Sequence, residues 1–311
     1  MKRSILAILV FTFLLAACGS GNNSASDVPL ADRKINVVTT TGMIGDIVVN
    51  VGGERVEVVS LMGPGVDPHL YKPTASDVTK LENADIVFYN GLHLEGRMVE
   101  VFEKMEAAGS ATFSVTEEVD TSLLYESPQY EGQFDPHVWF DVTLWKFGVE
   151  KVAKELIALD PASSEVYEAN ASTYLAQLDE LDSYVRTQIN SLPEESRVLV
   201  TAHDAFGYFG AQYGMEVHGL QGTSTASEAG AADVQNLAAF LVERKVKAIF
   251  VESSVPPGTI EAVQKATQAQ GWDVQIGGQL FSDAMGQAGT AEGTYIGMVK
   301  HNVDTMVSAL K

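Results

Sequence analysis

The sequence predicts an α/β protein of two lobes, each a mainly parallel four-stranded sheet flanked by helices, with a long rigid backbone helix joining them. Three observations carry this expectation. Short β-rich runs alternate with helical stretches; the alternation occurs twice; and the segment between the two occurrences has its apolar residues at helical spacing.

The chain opens with Lys2 and Arg3 and then an apolar run from Ile5 to Leu15. That run is too short to span a bilayer and has the charge order of a secretory signal, so residues 1–17 are expected to be removed. It ends Leu15-Ala16-Ala17-Cys18-Gly19, which resembles the bacterial lipobox, where a peptidase cuts before the cysteine and lipid is attached to it. The alternative is a buried free thiol behind an ordinary cleavage site. Residues 18–33, rich in Gly, Asn, Ser and Ala, read as a lipidated flexible tether. The protein is thus expected to be lipid-anchored at the extracytoplasmic face of the cell membrane. Cys18 is the only cysteine, so stability outside the cytoplasm must come from a sizeable core and not from disulfides.

In the N-terminal lobe, 34–142, the runs Lys34–Thr40, Val56–Met62, Asp85–Asn90 and Thr112–Glu117 read as buried strands. Gly42–Asn50, Ala75–Asn83 and Leu94–Ala107 read as the helices between them. Thr74-Ala75-Ser76-Asp77 fits a capping box at the start of the second helix. In the linker, 143–195, Val149, Val152, Leu156, Leu175, Leu178, Leu181 and Val185 fit one long helix broken near Asp160-Pro161. About 30 helical residues would span roughly 45 Å, enough to brace both lobes and limit hinge bending. The C-terminal lobe, 196–311, repeats the alternation with strands Arg197–Ala202, Glu216–Leu220, Lys247–Glu252 and Asp273–Gly278, and Gly293–Leu310 closes the chain as a helix.

Asp-Pro-His occurs twice, as Asp67-Pro68-His69 and Asp135-Pro136-His137. Proline fixes its own φ and biases its predecessor toward extended backbone, so each imidazole sits on a stiffened loop, as suits a metal ligand. Open parallel sheets bind ligands outside the carboxyl ends of their strands. His69, His137, His203 and Asp283 all follow predicted strands, two in each lobe, and can converge on the cleft between the lobes. The remaining candidates have other readings. His93 opens a helix and caps it or lies at the cleft rim. His218 and His301 are structural or solvent-facing, and Glu228 and Glu252 are substitute ligands or salt-bridge partners. Asp141 and Asp204 either fix histidine tautomers or cap helices.

Met62-Gly63-Pro64-Gly65-Val66-Asp67-Pro68-His69-Leu70-Tyr71, Tyr89-Asn90-Gly91-Leu92, Asp135-Pro136-His137-Val138-Trp139-Phe140-Asp141, Ala202-His203-Asp204-Ala205-Phe206-Gly207-Tyr208-Phe209 and Phe281-Ser282-Asp283 resemble the motifs of one family. It is the cluster A-I metal-binding solute-binding proteins of zinc, manganese and iron ABC importers, and the resemblance runs from about Lys34 to the C-terminus. It implies His69, His137, His203 and Asp283 as the metal ligands, two α/β lobes on a rigid helix, a membrane permease as partner and, for some members, cell adhesion. Zinc-dedicated members often carry a histidine-rich acidic loop before the second ligand, whereas Thr116–Gln133 is acidic without histidine. Many manganese or iron members place glutamate at the third ligand, whereas this chain has His203. The pattern of three histidines and one aspartate is associated with both zinc and manganese, with iron behind them.

The formal net charge is −21, and −23 once Lys2 and Arg3 leave with the signal. Such a chain is no nucleic-acid binder, and a monomer is expected. The leading function is a lipid-anchored receptor that captures Zn²⁺ or Mn²⁺ and hands it to an importer. A metal-dependent hydrolase is the rival, but catalysis keeps a coordination position open, and no Gly-x-Ser-x-Gly or phosphate-binding glycine loop accompanies the four ligands. A surface adhesin is compatible with the anchor, with metal binding then secondary.

Overall fold

The computed structural model describes residues 28–127 and 129–311. Cys18 and the signal-like run lie outside the described residues. The end of the expected tether is held in place: Leu30–Asp32 form a 3-10 turn, and Arg33 donates to Asp85 Oδ1 at 2.6 Å.

In the first half, strands β1 (Ile35–Thr39), β2 (Val56–Ser60), β3 (Ile86–Tyr89) and β4 (Thr112–Ser114) form one parallel sheet in the order β2-β1-β3-β4. Helices α1 (Gly42–Gly52), α2 (Ala75–Glu82) and α3 (Val99–Ala107) lie between them in sequence. Neighbouring residues of β1 serve opposite faces: Val37 belongs to the main core and Val38 to a second cluster with Leu81, Met98 and Phe102. A sheet covered on both faces produces a near-continuous apolar strand instead of an alternating one. The capping box at Thr74 is present, with Thr74 and Asp77 exchanging hydrogen bonds. The third helix starts five residues later than its predicted start at Leu94, because Gly91, Leu92 and His93 have positive φ and hold 91–98 in turns.

The long helix expected to break near Asp160-Pro161 is two helices that divide there. Helix α4 (Val142–Leu159) and helix α5 (Ser164–Asn190) are separated by a 3-10 turn at Pro161–Ser163 and pack against each other. Pro161 removes a backbone donor, and the chain folds back there instead of continuing. The strut is therefore α5 alone, 27 residues and about 40 Å long. It touches α1 in the first half and the last helix, α9 (Tyr295–Leu310), in the second.

The second half departs from the expected four-stranded sheet. Strand β5 (Val198–His203) pairs in parallel with β6 (Glu216–Gln221), and β7 (Ala248–Glu252) pairs in parallel with β8 (Gln275–Leu280), as two separate two-stranded sheets. Between these strands run α6 (Gly207–Tyr213), α7 (Ala231–Arg244) and α8 (Gly258–Ala269). Strand β5 lies alongside β7 without a ladder. At its carboxyl end the reason is visible, since the His203 N–H donates to the Glu252 side chain and not to a neighbouring strand.

One buried apolar cluster runs from Ile44 and Ile47 through Trp145, Leu178 and Leu181 to Phe209, Met298 and Val303. The Tyr174 hydroxyl on α5 also donates to Asp46 on α1 at 2.5 Å. Interiors are packed too densely to slide freely, so a core shared by both halves resists large hinge motion.

Candidate metal centre

His69 lies in the loop after β2, His137 just before a 3-10 turn at Val138–Phe140, His203 at the last position of β5, and Asp283 three residues beyond β8. The structure brings these four together, with one donor atom of each within 4.8 Å of all the others. His69 is 6% exposed, and the other three are 1% or less. His137 Nε2 is 3.3 Å from His69 Nε2, 3.4 Å from His203 Nε2 and 3.4 Å from Asp283 Oδ1. Asp283 Oδ2 is 3.3 Å from His203 Nε2 and 3.7 Å from His69 Nε2.

The ring orientations are set by carboxylates. His137 Nδ1 donates to Asp135 Oδ1 at 2.6 Å, and the same oxygen accepts the His137 backbone N–H at 3.0 Å. His203 Nδ1 donates to Glu252 Oε2 at 2.6 Å, with its backbone N–H on Oε1 at 2.9 Å. A proton on Nδ1 leaves the Nε2 lone pair for the cluster, the tautomer a ligand needs. The Asp283 loop is pinned on both sides: Trp139 Nε1 donates to the Ser282 carbonyl at 3.2 Å, and the Asn302 side chain hydrogen-bonds both the N–H and the carbonyl of Phe281.

Neither oxygen of Asp283 has a hydrogen-bond partner, although both are buried. A buried carboxylate in that condition is costly, and a cation between the four groups removes the cost. Without the ion, the neighbouring charges do part of that work. Burial alone would raise the Asp283 pKa, but His203 and His137 hold it well below the usual carboxylate range. Burial opposes a charge on His137, yet Asp135 and Asp283 outweigh it and raise the pKa to about 9. His203 is likewise raised well above its ordinary value, Glu252 and Asp283 overcoming burial. Burial dominates at His69 and lowers its pKa to about 3.

A tetrahedral ion bound at about 2.0–2.1 Å needs ligand atoms about 3.3–3.4 Å apart, since the edge of a tetrahedron is about 1.63 bond lengths. The two imidazole–imidazole separations from His137 Nε2, 3.3 and 3.4 Å, match that edge, while the carboxylate separations of 3.3–3.7 Å are shared between the two oxygens of Asp283. His69 is also the one member that lines a cavity of about 230 Å³, with His93, Arg97, Tyr130 and Thr223 around it.

The other sequence candidates stay outside the cluster. Exposed His93 rims this cavity; His218 pairs with Glu216 at 2.9 Å; and His301 reaches the Gln279 carbonyl at 3.1 Å. Glu228 is exposed, and Glu252 is a partner of His203 and not a ligand. Asp141 caps α4 by accepting from Thr143 and Leu144. The tautomer-fixing role weighed for Asp141 and Asp204 belongs instead to Asp135 and Glu252. Asp135 was findable, because an aspartate two residues before a histidine closes a local turn onto it. Of the two readings of Glu252, the structure gives the salt-bridge partner, and only its pairing with His203 lies beyond the sequence, because that depends on the adjacency of β5 and β7.

The family model of the periplasmic zinc-uptake complex component A, ZnuA, matches residues 37–309. The zinc-binding protein TroA of Treponema pallidum is 53% identical over 306 residues, 98% of this chain and 96% of that protein. The manganese-binding lipoprotein MntA of Bacillus subtilis is 47% identical over 314 residues, 100% of both chains. The solved structure of the periplasmic zinc-binding protein TroA from Treponema pallidum aligns with a TM-score of 0.86 at 55% identity, covering 89% of this chain and 99% of that one. A buried site of three histidines and one aspartate on a parallel α/β scaffold, matched almost end to end by these relatives, places the chain in the ZnuA family of metal-binding solute-binding proteins of ABC importers.

Proposed function

We propose that His69, His137, His203 and Asp283 hold one divalent transition-metal ion between the two lobes, and that the protein delivers this ion to the membrane permease of its importer. The observation that carries the reading is the buried cluster of four donor atoms within 4.8 Å of one another, with an otherwise unpartnered Asp283. Four protein ligands close the coordination sphere, which suits transport, and the family is one of transport binding proteins and not of enzymes.

The relatives' names divide between zinc and manganese. Three neutral imidazoles and a carboxylate favour Zn²⁺, and the divalent affinity order also ranks zinc above manganese. Both Asp283 oxygens face the histidines, so a two-oxygen contact supplies the extra donor Mn²⁺ prefers. Zn²⁺ therefore binds more tightly and Mn²⁺ measurably, with physiological cargo set by metal availability. The test is a competition titration of the mature protein with His69→Ala and His203→Ala as site controls. Zn²⁺ should displace Mn²⁺ at equal free concentration, and unchanged binding in the two variants would refute the ligand assignment.

Residues 34–142 and 196–311 then act as lobes, with 143–195 as the brace; the contacts of α5 with α1 and α9 support that division. A lipid on Cys18 as the membrane anchor is supported by the signal-like run before it and by the relative named as a lipoprotein. No helix of the described residues is long and apolar enough to cross a membrane. Labelled fatty acid should enter the wild type and not Cys18→Ser.

A further inference from the structure

Donor atoms of His69, His203 and Asp283 all lie 3.3–3.4 Å from His137 Nε2. Displacing this ring moves its donor atom away from all three. Asp135 orients the ring, but the peptide that carries it is also held from the other side. The Pro136 carbonyl, part of the peptide bond entering His137, accepts a hydrogen bond from Asn90 Nδ2 at 3.1 Å. The N–H of the same peptide donates to Asp135. With both polar groups engaged, the peptide plane cannot rotate without breaking a buried hydrogen bond.

Asn90 follows directly on the carboxyl end of β3, is 1% exposed and is itself anchored on several sides. Its carbonyl accepts from Ser114 Oγ at 2.8 Å and from Thr116 Oγ1 at 2.7 Å. Its N–H donates to Glu95 Oε1 at 2.7 Å, and the Thr40 hydroxyl donates to that same oxygen at 2.6 Å. Glu95 is 2% exposed, and its other oxygen accepts the Gly91 N–H at 3.3 Å. The carboxylate thereby closes a turn in which Gly91, Leu92 and His93 have φ of 86°, 52° and 63°. Two consecutive non-glycine residues in the left-handed region persist only where the surroundings over-determine them. A Cβ at Gly91 would run into Ser114 Oγ, so the turn also requires glycine there.

We propose that Asn90 is a positioning residue for metal capture, setting the His137 ring through the Pro136 carbonyl, with Glu95 and Thr40 as its buried support. The inference rests on His137 being a ligand. Removing a partner that orients a metal ligand typically costs about 10–100-fold in affinity.

The test uses the full mature chain, Asn90→Ala and Asn90→Asp, the latter keeping the side-chain shape while losing the donor. Zn²⁺ affinity is read by chelator competition. Site geometry is read from the visible d–d absorption of bound Co²⁺, which is intense in four-coordinate and weak in six-coordinate surroundings. Melting of the metal-free protein reports the fold. Both variants should bind Zn²⁺ about 10–100-fold more weakly and show a weakened or shifted Co²⁺ band. If Asn90→Ala does not fold, Asn90→Asp decides. Wild-type affinity overturns the inference, and so does an affinity loss with the Co²⁺ band unchanged, because that would be general destabilisation. His137→Ala separates the two levels: binding that survives it refutes the ligand assignment itself, whereas binding lost there and retained in the Asn90 variants refutes only the positioning role.

Discussion

The two copies of Asp-Pro-His share a backbone device and differ in what their aspartates do next. In each, the aspartate Oδ1 accepts the backbone N–H of the histidine two residues on, at 2.9 Å in Asp67-Pro68-His69 and 3.0 Å in Asp135-Pro136-His137. In the second copy the same oxygen also takes the imidazole Nδ1. In the first, Asp67 Oδ2 accepts the hydroxyl of Thr225, a residue of the other half of the molecule, at 2.6 Å. His137 is thus oriented by its own loop and fully buried, whereas His69 sits against a cavity and is steadied through a contact between halves. Identical tripeptides thus present one imidazole fixed within its own loop and one steadied across the two halves.

The largest expected effect comes from removing the proposed ligands. His137→Ala should lower Zn²⁺ affinity more than His69→Ala, because the first ring is fully buried and fixed by Asp135 whereas the second lines a cavity from which water can replace it. Equal losses in a chelator-competition titration would remove the contrast. Asp135→Asn comes next, with about 10–100-fold weaker binding, since it takes the charge off the one oxygen that accepts from both ring and backbone. Asp67→Asn should cost less, because it leaves the His69 ring untouched.

The contrast also predicts opposite titrations in the metal-free protein. His137 should hold its proton to about pH 9, and His69 should stay neutral down to about pH 3, as imidazole resonances in NMR would record. The folded pKa of His137 lies above the ordinary 6.5, so its contribution to stability is full below about pH 6.5 and is lost as pH rises through about 9. The folded pKa of His69 lies below 6.5, so its contribution is present above about pH 6.5 and is lost as pH falls toward about 3. Metal-free melting temperature should therefore fall on both sides of neutrality, and Asp135→Asn should flatten the alkaline fall only. Zn²⁺ must displace the His137 proton, so binding at pH 7 should release protons, measurable by calorimetry in buffers of unequal ionisation heat.

Metal binding should stabilise the fold by about 4 kcal/mol at roughly 1,000-fold excess over Kd, read as a rise in melting temperature that chelator reverses. The smallest expected effect is that of Thr225→Val. It removes one hydrogen bond between the halves, worth about 1 kcal/mol, and should speed metal loss to chelator less than tenfold. A Thr225→Val effect as large as that of Asp135→Asn would show that the first copy is the more tightly coupled one.

The alternation of strands and helices, the capping box at Thr74 and the four side chains at strand ends were legible in the chain because each depends on near neighbours: residue periodicity, a turn closed over three residues, a proline beside its histidine. The strand-end rule converted those local signals into a candidate site. What long-range packing decides was not legible. The break at Pro161 could be read, but not that α4 folds back along α5, since apolar spacing is the same whether a helix continues or returns. The split of the second sheet and the role of Glu252 depend on β5 lying beside β7, 49 residues apart in sequence at His203 and Glu252. The link from Asn90 to Pro136 spans 46 residues, and that from Thr225 to Asp67 spans 158. Residue identity and local spacing determined which groups could bind a cation. Only the folded chain decided which carboxylate holds each imidazole, because an acceptor's partner is set by proximity in space and not by position in sequence.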